Sequence, residues 1–297
     1  MQTIVYTVPP AEDGHKVRSV LKRALGLSSH AITSLVHTKT GILVNGARPF
    51  SNVALRAGDV LAVEIGDRRP LSDVVVPCDC PLEVVYEDEH LLVVNKPAGM
   101  VSLSSRSRPE SPTVPGALAF RYGRETPLHI VNRLDKGTTG LMVVARSGYV
   151  HNLLRQTLHT PDFRREYRGI CVGCPDPPAG DIDLPIGRAE GSIVQRMVRP
   201  DGVPSLSRYE VLERSGGLTL LRLVPVTGRT HQLRVHCAAI GCPLAGDWLY
   251  GREDPALIPR PALHSAELWL RHPVSGELLH LTAPLPEDMR RLLEARE

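Results

Sequence analysis

Asp135 stands in the run Asn132-Arg133-Leu134-Asp135-Lys136-Gly137-Thr138-Thr139-Gly140, between the apolar stretch 128–131 and the strand-like stretch 141–145. A carboxylate flanked by two cations on a glycine-bearing turn is where a scaffold presents a reactive group. It can attack as a nucleophile or stabilise a developing positive charge. The plainer role is a turn-forming Asp that accepts from a neighbouring amide. The cysteines and histidines suggest other chemistry. Cys78-x-Cys80 and Cys171-x-x-Cys174 are close pairs, and twelve histidines are present. The pairs are not similarly spaced, however, and the odd offset between Cys171 and Cys174 puts them on opposite faces of a strand, so reduced, partly buried thiols are expected rather than a metal site. His231, His236 and Asp247 would suit a metal-dependent hydrolase, but the two histidines are five residues apart and do not share a helix face. No GxGxxG or GxxxxGK[ST] run occurs, so no nucleotide cofactor is expected.

Short apolar runs separated by turns must position these groups. The pattern predicts strands over 82–86, 90–95, 141–145, 166–172, 207–212 and 218–224, with helices over 147–158 and 230–240. That implies an α+β catalytic domain with a mixed, mainly antiparallel sheet over residues 81–297. The first 66 residues read differently. Apolar spacing from Lys16 to Leu27 predicts a helix, and Ser28 can cap a second one over 28–36. Strands over 42–44, closed by Asn45-Gly46, and over 60–63, after Gly58-Asp59, follow. Residues 67–80, with Arg68-Arg69-Pro70 and Pro77, read as a linker.

Composition narrows the class without deciding it. The 297 residues are 42% hydrophobic and 23% charged, enough for a sizeable core in one large or two unequal domains. No apolar run reaches the length of a membrane span and the N-terminus lacks a signal pattern, so a cytoplasmic protein is expected, without a membrane partner. A net charge of +3 is compatible with a polyanion, whereas 4% aromatic residues argue against a broad base-stacking platform. In residues 1–66 the basic residues Lys16, Arg18, Lys22, Arg23, Lys39, Arg48 and Arg56 outnumber Glu12, Asp13, Asp59 and Glu64. A weak RNA-binding surface and a plain solvated helix face both fit this excess.

The Asp135 loop resembles the catalytic signature of RluA-type pseudouridine synthases. The resemblance continues, in the same order, through Leu92 to Met100, Arg165 to Gly169, Pro225 to His236, Gly241 to Asp247 and the segment from Leu263 to Pro286, covering roughly residues 81–290. Residues 1–66 resemble, more loosely, the RNA-binding module of the ribosomal-protein S-four type. The family resemblance implies isomerisation of uridine in structured RNA, ribosomal RNA foremost and transfer RNA as the other candidate, without cofactor or metal. It implies Asp135 as the carboxylate working at the ribose, Arg234 as its guanidinium partner and Tyr167 as a ring packed on the extruded uracil. Arg133, Arg229, His231 and Lys96, with Lys16, Arg18, Lys22 and Arg23 in the first module, are the expected RNA contacts, and a monomer is expected. Asn132 and Leu103-Ser104 stand where the family usually has His and His-Pro. Their two positions are expected to lie near each other behind the loop. A catalytically inactive RNA-binding or ribosome assembly protein is the alternative reading.

Overall fold

The computed structural model describes residues 2–50, 52–65, 74–105 and 111–294. Residues 67–73 of the expected linker lie outside that set, and residues 75–80 form neither helix nor strand. The first unit comprises β1 (Gln2–Thr7), a 3-10 turn at Pro10–Glu12, α1 (Val17–Arg23), α2 (Ser29–Val36), β2 (Ile42–Val44) and β3 (Val60–Ile65). Its sheet has the order β1-β3-β2, all antiparallel. The predicted Ser28 cap is present, its hydroxyl accepting from Ala31 N at 3.1 Å. Val17, Val20 and Leu21 of α1 join Ile32, Ile42, Leu61 and Val63 in a separate core. The edge strand β1 escaped the pattern because hydrophobic residues occupy both of its faces and Val5 stays exposed.

The second unit runs β4 (Glu83–Glu87), β5 (Leu91–Lys96), α3 (Val114–Tyr122), β6 (His129–Ile130), β7 (Thr139–Ala145), α4 (Gly148–Thr157), β8 (Phe163–Val172), β9 (Ala179–Asp183), β10 (Ile186–Arg188), β11 (Arg196–Val198), β12 (Leu206–Ser215), β13 (Leu218–Pro225), α5 (Gln232–Ala239), β14 (Leu263–Arg271), β15 (Leu278–Thr282) and α6 (Glu287–Glu294). The large sheet has the order β4-β5-β7-β14-β8-β13-β12-β9, with β6 added to β7 and β15 to β14. Its pairings are antiparallel except β7 with β14. This is the mixed α+β architecture that the sequence predicted. The two-residue period of β7 explains its central place. Met142 and Val144 enter one core with α3 and α5, while Leu141, Val143 and Ala145 enter another with α4. The units touch at α4, where Asn152 Nδ2 donates to Gly26 O at 2.7 Å.

Before β4, Cys78 and Cys80 form a disulfide, which corrects the expectation of reduced thiols for that pair. A tight turn closed by Cys80 N to Cys78 O at 2.9 Å brings their Cα atoms to 5.4 Å, within bridging range. Cys171, Cys174, Cys237 and Cys242 are free.

At the parallel junction the backbones approach closely. A Cβ on Gly140 would fall 2.2 Å from Ser265 O, and its φ of 107° suits glycine alone. Beside it, buried His264 places Nδ1 2.8 Å from Thr139 Oγ1, and Nε2 donates to Ala283 O at 3.2 Å. Burial lowers its pKa to about 4, against the pull of the Ala283 carbonyl. The unfolded chain therefore binds a proton here below pH 6.5 that the folded chain refuses until about pH 4. Stability from this group is full above pH 6.5 and falls as pH drops towards 4. Urea unfolding of wild type and His264→Gln at pH 7 and 4.5 should show their stability difference change by about 2.5 kcal/mol in that direction. A difference that stays constant between the two pH values contradicts this account.

Candidate active site

The loop from β6 to β7 carries Asp135 into a cleft of about 710 Å³. Ser102 holds the loop from behind, donating to Leu134 O at 2.5 Å and accepting from Leu134 N at 3.0 Å. Thr138 N closes the turn on Asp135 O at 3.1 Å. Opposite, α5 presents Arg234, whose Nη1 lies 3.3 Å from Asp135 Oδ2. The same guanidinium grips Asp247 through Nε and Nη2, each at 2.8 Å. Asp247 is fully buried and also accepts from Leu249 N and Tyr250 N. One planar cation thus serves two carboxylates, the buried one fixing its orientation and the half-buried one facing the cleft.

His231 is a second group near Asp135. It precedes α5 with φ 58°, a left-handed conformation costly for a residue with a Cβ, and its Nε2 lies 3.8 Å from Asp135 Oδ1. Tyr250 Oη accepts from Arg196 N at 2.9 Å and shares a hydrogen bond with His231 Nδ1 at 2.7 Å. Burial pulls the His231 pKa down, while the Asp135 carboxylate pulls it up. Gln232 secures the approach by accepting from Thr227 Oγ1 and Arg229 N, and by donating to Leu206 O and Ser207 Oγ.

Tyr167 on β8 lines the cleft and is buried, which pushes its phenol pKa upward. Arg133 and Arg229 also line the cleft and are exposed. Among the described lining residues, seven Arg and Lys side chains face a single carboxylate, Asp135. A polyanion is the ligand that such a wall suits.

One expected RNA contact takes another place. Lys96 is buried, and its Nζ donates to the carbonyls of Pro97, Met100 and Lys136 at 2.9, 2.9 and 3.3 Å. All three ammonium protons are used, so this lysine ties the loop after β5 to the Asp135 loop instead of reaching a phosphate. Burial lowers its pKa to about 7, opposed by Asp135. His231 lines the cleft beside Asp135, its Nε2 3.8 Å from Oδ1. Lys16, Arg18, Lys22 and Arg23 are exposed on the first unit, outside the cleft lining, and Arg23 pairs with Glu12 at 2.5 Å.

Asn132 and Leu103 both line the cleft. Asn132 Oδ1 accepts from Val143 N at 2.7 Å and its Nδ2 is buried without a partner. The hydrolase alternative loses its ligands. His236 spends one nitrogen on Ser207 Oγ and the other on Leu184 O, and Asp247 is committed to Arg234. Asp247 entered the sequence reading as a candidate metal ligand and as the end of the Gly241 to Asp247 motif, not as the anchor of Arg234, and Tyr250 as the support of His231 was not foreseen.

Residues 90–239 match the family model described as RNA pseudouridylate synthase. The chain is 35% identical over 274 residues to the uncharacterized RNA pseudouridine synthase YjbO of Bacillus subtilis, covering 91% of this chain and 95% of that one. It is 34% identical over 304 residues to the ribosomal large subunit pseudouridine synthase D of Xanthomonas campestris, covering 97% and 91%. Among solved structures, human RNA pseudouridylate synthase domain containing 4 superposes with a TM-score of 0.57 at 26% identity, over 71% of this chain and 92% of that one. Among the described residues, no helix is long and apolar enough to cross a membrane.

Proposed function

The chain belongs to the RNA pseudouridine synthase family, and we propose on that premise that it isomerises one or more uridines of large-subunit ribosomal RNA with Asp135 as the working carboxylate. As an enzyme of this family it breaks the bond from C1′ to N1, turns the uracil and joins C1′ to C5. C5 gives up a proton and N1 gains one, so the composition of the RNA is unchanged. The observation that carries the assignment of Asp135 is its pairing with a guanidinium that buried Asp247 already holds, at the wall of a positively lined cleft. Arg234 orients the carboxylate towards C1′, where positive charge develops as the glycosidic bond breaks. Tyr167 supplies a flat apolar surface for the extruded uracil, and its high phenol pKa keeps it neutral there. Extrusion costs a few kcal/mol and is cheapest for an unpaired nucleotide, so loops or bulges are the favoured targets.

The ribosomal choice is supported by the Xanthomonas relative, whose name states that activity and whose similarity spans nearly the whole chain. Such a substrate goes with action in the cytoplasm. Residues 1–66 form the RNA-holding module in this reading, with Lys16, Arg18 and Lys22 exposed along α1 as phosphate contacts. The cleft is complete within one chain, which supports action as a monomer. Pseudouridine mapping across cellular RNA, with and without the gene, tests the proposal. A site that disappears and returns with wild type but not with Asp135→Asn names both substrate and carboxylate. A site that returns equally with both removes Asp135 from its role, and sites confined to transfer RNA overturn the ribosomal assignment.

A further inference from the structure

Arg165 is 9% exposed, yet among the described residues its guanidinium makes no hydrogen bond or ion pair. Its Nε is buried without a partner, and the centre of the Phe163 ring lies 5.7 Å from the guanidinium carbon. A contact that long is at the edge of cation–π range. Buried charges in proteins are otherwise paired, since desolvation is costly and only an opposite charge or strong acceptors offset it. The surroundings make the imbalance larger. His159 and Arg229 also line this part of the cleft, and Arg165 and Arg229 both disfavour a charged His159. The loop holding Gly228 passes directly over the group: a Cβ on Gly228 would fall 2.8 Å from His159 Cε1 and 3.9 Å from Arg165 Nη2. Two side chains and a loop thus enclose an unpaired guanidinium that lines the cleft.

We propose that Arg165, with His159 and Arg229 at its rim, is an anion subsite that holds the backbone phosphodiester next to the extruded uridine. The inference rests on RNA being the substrate. Arg165 and Tyr167 are two positions apart on β8 and both line the cleft. Two residues of a strand span about 7 Å, a distance of the same order as that from a base to the phosphates of its own nucleotide. A uracil against Tyr167 therefore brings a flanking phosphate within reach of Arg165. A phosphate there supplies the missing acceptors, and the planar guanidinium can meet two of its oxygens at once. The clamp forms only when the target nucleotide is in the cleft, so its binding energy favours the extruded state.

The test uses the full-length protein and a transcribed large-subunit ribosomal RNA domain, with affinity measured across a salt series. Each phosphate contact contributes about 0.7 to 0.9 to the slope of log affinity against log salt. Arg165→Gln should lower that slope by one such step and reduce kcat/KM by about 30-fold, mainly through KM. Arg165→Lys should keep the slope, because the charge remains. A merely structural arginine would not change the salt slope, so an unchanged slope in Arg165→Gln overturns the subsite even if catalysis suffers. A slope lowered equally by Gln and Lys also overturns it. A wild type without salt-dependent RNA binding removes the subsite together with the RNA reading. A lowered slope in a protein that converts no uridine sustains the subsite and removes the isomerase proposal.

Discussion

Asp135→Asn is expected to reduce uridine conversion by the purified enzyme by roughly 10⁴-fold or more while leaving RNA affinity nearly unchanged. The amide has the shape of the carboxylate, and its oxygen can still accept from Arg234 Nη1, which lies 3.3 Å from Asp135 Oδ2. The guanidinium does not become an orphan, because Asp247 retains it through two bonds of 2.8 Å. Fold and cleft therefore persist, and the change falls on the one group able to attack C1′ or carry its positive charge. Single-turnover conversion and filter binding on the same RNA separate the two effects. Conversion within tenfold of wild type would move the chemistry away from Asp135.

Arg234→Met should cost about 3–5 kcal/mol of stability and about 10³-fold in conversion. The stability loss comes chiefly from Asp247, which is wholly buried and would keep its charge without a counter-ion. The catalytic loss comes from Asp135, whose orientation would then rest on His231 at 3.8 Å. Pairing Arg234→Met with Asp247→Leu distinguishes the roles. The double variant should recover part of the stability, since no buried charge is left unpaired, but none of the activity. Arg234→Lys should not rescue conversion, because a single ammonium cannot hold Asp247 with two parallel bonds and also reach Asp135. Denaturant midpoints and conversion rates on all three proteins check the scheme. Activity returning in the double variant would refute it.

Much of the fold was legible where local chemistry and final position agree. The Ser28 cap, the strands predicted at 42–44 and 60–63, and the apolar run 141–145 of β7 all follow from patterns a few residues long. Elements that depend on distant partners were not legible. The helix α3 contains Pro115 and Gly116, which normally signal a turn. It forms because proline is tolerated in a first turn, Thr113 Oγ1 accepts from Gly116 N at 3.0 Å, and a Cβ at Gly116 would meet Val76 O at 2.5 Å. The strand β14 mixes His264, Ser265 and Glu267 into its apolar residues, and it lies between β7 and β8, which are remote in sequence.

From the sequence alone came the family, the Asp135 carboxylate and the arginine opposite it, because the spacing of the motifs is a property of the chain. The tertiary structure alone decided what each remaining polar side chain is for. It turned Lys96 from an RNA contact into a buried tie between loops, gave Asp247 the task of aiming Arg234, and left Arg165 enclosed without a counter-charge among the described residues. The reason is electrostatic: the role of a charge depends on which opposite charges and dipoles lie within a few ångströms of it. Asp135 and Arg234, 99 residues apart in the chain, become neighbours only when the sheet and α5 have assembled around them.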